Sequence, residues 1–179
     1  MLGVQVIETR KRVLGEEHPS MLTSMGNLSL TYGNQGRWKE AEELKVQVME
    51  TRKRVLGEEH PDTLTSMGNL ASTYMNQGRW KEAEELGVQV KDTRKRVLGA
   101  EHPDTLTSMN NLAFTWKESG RDSDANNLME ECVILRTRVL GADHPHSRSS
   151  SAALISWRRG RLNIGTLVAN GQECDDINR

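Results

Sequence analysis

The chain has 179 residues, 35% of them hydrophobic and 4% aromatic, and its 24 Lys+Arg against 25 Asp+Glu leave a net charge of −1. That length limits it to one domain or one stack of small units, and so even a charge gives no overall field to hold a polyanion, which disfavours nucleic acid. Two cysteines make no disulfide framework, no apolar run nears the ~18 residues that span a bilayer, and Met1–Val6 carries no leader pattern, so a cytoplasmic protein without a membrane partner is expected.

The first element predicted is a helix over 2–14. It closes on Arg10-Lys11-Arg12 ahead of Gly15, cations at the negative helix end and glycine past it. The string Leu14-Gly15-Glu16-Glu17-His18-Pro19 follows, returns at Leu56–Pro61, and varies slightly at Leu98–Pro103 and Leu140–Pro145. Gly15, Gly57, Gly99 and Gly141 stand 42 residues apart, and Leu2–Glu43 lies on Leu44–Glu85 with seven mismatches. A period this constant signals a unit that stacks on copies of itself.

After each His-Pro a helix A is expected, over 20–35, 62–77, 104–119 and 146–158. In the second copy Leu64, Met67, Leu70, Ala71 and Tyr74 recur mostly every three or four residues and share a face. Pro61 and Asp62 suit its first turn, and Gly78 stops it. A helix B then runs over 38–56, 80–98 and 122–140, with Trp80, Ala83, Leu86, Val90, Thr93 and Val97 as its stripe. Helices joined by Gly-Arg-Trp must turn back on each other, and neither buries its stripe alone. The chain therefore divides into a partial repeat 1–15, repeats 16–57, 58–99 and 100–141, and a degraded capping repeat 142–158, an array over 1–158, with 159–179 as an irregular tail.

Asn69-Leu70-Ala71-x-x-Tyr74-x-x-x-Gly78-x-Trp80-x-x-Ala83, repeated from Asn27 to Ala41, resembles the core of the tetratricopeptide repeat. The 42-residue version with a Leu-Gly-x-x-His-Pro linker is similar to the repeats of kinesin light chains and of fungal nucleotide-binding, immune-receptor-like proteins. The third copy departs from the pattern with Asp122 in place of Trp and Trp116 in place of Tyr. The resemblance implies an all-α, right-handed superhelical solenoid of antiparallel helix pairs. It also implies that the asparagine at Asn27, Asn69 and Asn111 faces a peptide groove.

The residues themselves offer a second stripe on helix A. Thr65, Asn69, Ser72 and Asn76 are spaced four, three and four, and their counterparts include Thr23, Asn27, Asn34, Asn111 and Phe114, with Asn110 beside them. Amides in a ladder can donate to and accept from the backbone of an extended peptide, while their neighbours select its sequence. The same amides could instead bridge helices as structural hydrogen bonds.

The other repeated groups read as scaffold. His18, His60, His102 and His144 recur once per unit, too far apart to share a metal if units sit about 10 Å apart, and are expected to fix the linker and cap the preceding helix. Glu8, Glu50 and Asp92 lie four residues before Arg12, Arg54 and Arg96, an ion-pair spacing on solvated helix ends. With no phosphate loop, metal spacing or nucleophile motif, no enzyme and no cofactor are expected. The leading function is a non-enzymatic protein-protein interaction scaffold binding extended peptide in the groove. The alternative is a self-associating structural fragment of a longer sensor or motor-adaptor protein, assembling through uncapped ends.

Overall fold

A computed structural model describes residues 2–171, all eight of its regular elements being helices: α1 Leu2–Leu14, α2 Pro19–Asn34, α3 Trp38–Leu56, α4 Pro61–Asn76, α5 Trp80–Leu98, α6 Pro103–Glu118, α7 Asp122–Leu140 and α8 Pro145–Gly171. Each helix packs on its neighbours in the chain, and α4 also touches α6. Helices A (α2, α4, α6, α8) thus form one row and helices B (α1, α3, α5, α7) the other.

The boundaries follow from the linker chemistry. Proline begins each helix A, where its missing N–H would have no intrahelical acceptor. The histidine before it accepts the N–H two residues on: His60 Nδ1 from Asp62 at 3.1 Å, His102 Nδ1 from Asp104 at 3.1 Å, His144 Nδ1 from His146 at 3.2 Å. The histidines therefore cap the following helix, not the preceding one. The extended backbone just before proline turns the imidazole forward over the first turn of the helix that follows. The preceding helix ends on glycine, with Gly57 at φ +96° and its N–H on the Lys53 carbonyl at 3.0 Å. At the A–B turn Gly78 also takes positive φ, and Arg79 N–H reaches back to the Tyr74 carbonyl at 2.9 Å. His60→Ala removes one such cap and is expected to lower stability by about 0.5–2 kcal/mol, read by urea denaturation.

The buried interior is a chain of small clusters. Met21, Leu22, Met25 and Val48 form one, Leu64, Met67 and Val90 a second, and Leu106, Met109, Leu112, Ala113, Leu128, Met129, Cys132 and Leu154 the largest. Ala41, Ala83 and Ala125, fully buried at the same point of α3, α5 and α7, let the two helices of a pair approach closely.

Two further features differ from expectation. α8 does not end at Arg158 but continues to Gly171. No proline interrupts this stretch, and the interior glycines Gly160 and Gly165 each cost a helix only about 1 kcal/mol. The remainder of the expected tail, 172–179, lies outside the described residues. The basic runs also serve differently. Arg54 pairs with Glu17 at 2.7 Å, Arg96 with Glu59 at 2.5 Å and Arg138 with Glu101, each joining one linker to the next rather than one helical turn to the next. Opposite charges one repeat apart are closer here than the i, i+4 partners, because stacking brings consecutive linkers side by side.

Candidate functional site

The first arginine of each basic run turns inward. Arg52 donates to the Asp62 carbonyl at 3.2 Å and to Ser66 Oγ at 2.8 Å, and Arg10 makes the equivalent bonds to the Ser20 carbonyl and Ser24 Oγ. Arg94 donates to the Asp104 carbonyl at 3.1 Å and across to Thr65 Oγ1 at 3.2 Å. Arg136 is the most engaged, on the His146 and Leu106 carbonyls, Ser150 Oγ and Asn110 Oδ1. These arginines tie each helix B to the next helix A. The spacing of 42 was visible in the sequence, but nothing in it distinguished the first arginine of a run from the third.

At the other end of the helices the turn arginines stack on aromatic rings. Arg37 lies 4.0 Å from the Tyr32 ring centroid, Arg79 4.1 Å from Tyr74 and Arg121 4.7 Å from Trp116. Arg79 also bonds Glu82 and, in the previous repeat, Glu42, and those carboxylates raise its pKa above the ordinary arginine value. Arg121 repeats this with Asp124 and Glu84, and Trp116 Nε1 donates to Glu84 at 2.9 Å. Trp116, which departs from the repeat pattern, thus keeps the aromatic platform and adds a donor.

Between these two tethered edges, two recesses open along helices A. The first, about 170 Å³, lies among α2, α3 and α4 and is lined by Thr23, Asn27, Leu30, Lys45, Arg52 and Asn69 among others. The second, about 270 Å³, lies one repeat on, among α4, α5 and α6, with Ala71, Ser72, Met75, Gly87, Arg94, Asn111 and Phe114 in its walls. Lys45 and Gly87 occupy equivalent positions. Lys45 Nζ lies in the wall of the first recess, donating to the Asn69 carbonyl at 3.2 Å and Thr73 Oγ1 at 2.6 Å, and burial lowers its pKa. Gly87 leaves the second recess open.

Of the residues singled out from the sequence, Thr23, Asn27 and Asn69 border the first recess, and Ser72, Asn110, Asn111 and Phe114 the second. Asn34, Thr65 and Asn76 line neither, although Thr65 holds Arg94. The side chains of Asn27, Asn69 and Asn111 are exposed. Asn110 is different: its Oδ1 accepts from Arg136 at 3.3 Å and from Ser150 Oγ at 2.9 Å, so this amide bridges helices. Thr23 and Ser72 turn their hydroxyls onto the carbonyls of Pro19 and Gly68, one turn back in their own helices. Phe114 meets Trp157 edge to face with centroids 5.0 Å apart, which fastens α8 to α6. Among the described residues no group of three or more His, Cys, Asp or Glu could hold a metal ion, and no helix is long and apolar enough to cross a membrane.

A family model of the tetratricopeptide repeat matches residues 21–62, 63–104 and 105–146, three consecutive units that begin inside helix A and end inside the next. The chain belongs to the tetratricopeptide-repeat family. The crystal structure of a point variant of a Podosopora anserina protein, assigned to the kinesin light chains and built of nearly identical TPR-like repeats, is 32% identical, with a TM-score of 0.76 over 96% of this chain and 82% of that one. A second crystal structure of that protein, without the substitution, gives 32% identity and a TM-score of 0.74 over 94% and 81%. BtubC (BKLC) from P. vanneervenii shares the fold at 15% identity, TM-score 0.72, over 99% and 74%. No curated protein matches the sequence. Helix rows in a right-handed tetratricopeptide solenoid, of the kinesin-light-chain-like type, make a scaffold for protein–protein interaction, and such arrays are generally without catalytic activity.

Proposed function

We propose that the array holds an extended peptide segment of a partner protein along α2, α4 and α6, in a cytoplasmic setting and without catalysing a reaction. The observation that carries this reading is the register of Asn27, Asn69 and Asn111: an exposed amide at the same point of α2, α4 and α6, beside the two recesses. Packed helices stand about 10 Å apart, which is about three residues of extended chain. An amide at each step therefore meets a backbone group of the peptide in register, and the recesses between are free to read side chains.

The test replaces Asn27, Asn69 and Asn111 together with alanine. Peptides first selected on the native chain are expected to lose about 0.5–1.5 kcal/mol of binding per amide, while helicity by circular dichroism stays unchanged. Unchanged affinity in the triple variant would mean that the amides do not grip the ligand.

A further inference from the structure

Of the chain's lysines, Lys11, Lys53, Lys91 and Lys117 each pair with a carboxylate, and Lys39, Lys81 and Lys95 are exposed. Lys45 is the exception. It is partly buried in the wall of the first recess, and among the described residues its ammonium donates to two neutral acceptors, the Asn69 carbonyl and the Thr73 hydroxyl. Burial without a counter-charge pulls its pKa below the ordinary lysine value, which raises the share of neutral, nucleophilic amine. Arg52 stands in the same wall, two helical turns on along α3 and about 10 Å away. Its hydrogen bonds also run to neutral groups, the Asp62 carbonyl and the Ser66 hydroxyl. Buried Val48 lies between the two cations and packs with Leu22 of α2. No aspartate or glutamate lines the recess. The arginine recurs in the later units as Arg94 and Arg136, whereas the amine position holds Gly87 in the next copy and Met129 in the one after.

We propose that the first recess is a covalent site for a small aldehyde carrying an anionic group, held as an imine on Lys45 with the anion on Arg52. This ligand is distinct from a peptide, and the site stands whether or not a peptide lies along helices A. The Lys45 ammonium first gives one proton to solvent. The amine lone pair then adds to the carbonyl carbon, and the carbonyl oxygen takes up a proton. Loss of water, with the nitrogen lone pair closing the C=N bond, leaves a protonated imine. Ammonium and aldehyde thus become iminium and water, with charge conserved and no oxidant or reductant consumed. The iminium keeps one N–H for the Asn69 carbonyl or the Thr73 hydroxyl that the ammonium held before. The recess measures about 170 Å³. A cavity of about 150 Å³ already holds a benzene ring, so a single ring fits against Leu22 and Val48. Two cations in one recess with no acid among its walls favour an anion on the ligand, and Arg52 offers the fork that a phosphate or carboxylate matches.

The experiment treats the full chain at neutral pH with less than one equivalent of pyridoxal 5′-phosphate, reduces the imine with borohydride and maps the label by peptide mass spectrometry. Most of the label is expected on Lys45, ahead of the exposed Lys39, Lys81 and Lys95. The same aldehyde without its phosphate, 5-deoxypyridoxal, is expected to label Lys45 several-fold less. Lys45→Gly, which installs the residue native to the equivalent position 87, should lose that label while helicity by circular dichroism is unchanged. Gly87→Lys should gain a second labelled lysine, in the recess that Arg94 lines. The comparison of the two aldehydes uses the native chain and does not depend on either variant folding. Label spread over the exposed lysines with Lys45 spared overturns the site, and so does equal labelling of Lys45 by the two aldehydes.

Discussion

Leu106→Ala is expected to cost about 2–5 kcal/mol of unfolding free energy. Leu106 is 1% exposed and belongs to the largest buried cluster, between helices α6, α7 and α8. The truncation leaves a cavity that neighbours can close only in part, because Met129 and Cys132 are themselves fully buried and held by their own contacts. In a stacked array each unit touches only its neighbours, so the loss should stay local. Amide exchange is expected to accelerate in α6 and α7 and much less around Met21, Leu22, Met25 and Val48, which form a separate cluster. A loss under about 1 kcal/mol would contradict the packing described here.

Arg136→Met is expected to cost about 3 kcal/mol, against less than about 0.5 kcal/mol for Lys95→Ala. Methionine keeps most of the stem, so the difference reports the guanidinium. Arg136 is 5% exposed and donates to a carbonyl of α6, a carbonyl and a hydroxyl of α8, and the Asn110 amide. Without it these acceptors stay buried with fewer donors, and α8 loses a main tether to the array. Lys95 sits in the corresponding run one repeat earlier, Arg94-Lys95-Arg96, but is exposed. Urea denaturation of the two variants checks the contrast, and equal losses would show that Arg136 contributes no more than a surface cation.

That contrast also marks where the sequence stopped being informative. The helix positions and the 42-residue unit were legible because proline, histidine and glycine recur at every boundary and the apolar stripes keep one period. α8 ran past its expected end because the loss of the repeat pattern after residue 158 ends a motif without ending a helix. The roles within Arg-Lys-Arg were not legible. Which arginine turns inward depends on the angle at which helix B meets the next helix A, a property of stacking and not of spacing. Lys45 against Gly87 was visible only as one mismatch between two copies. Its meaning, an ammonium in the wall of one recess and none in the other, required both copies to be placed in space. Asn110 looked like a neighbour of the ladder but bonds Arg136 and Ser150, because one step along a helix turns a side chain by about 100°.

The groove along helices A is tested most directly by amide chemical-shift mapping on the labelled chain, titrated with a peptide selected on the native chain. The account predicts shifts at the side-chain amides of Asn27, Asn69 and Asn111 and in the backbone around Ser72 and Met75, with little change at Gln47, Glu85 and Gln89, which are exposed on helices B. Shifts concentrated on α3 and α5, with the three asparagine amides unmoved, would place the binding surface on the other row and contradict it.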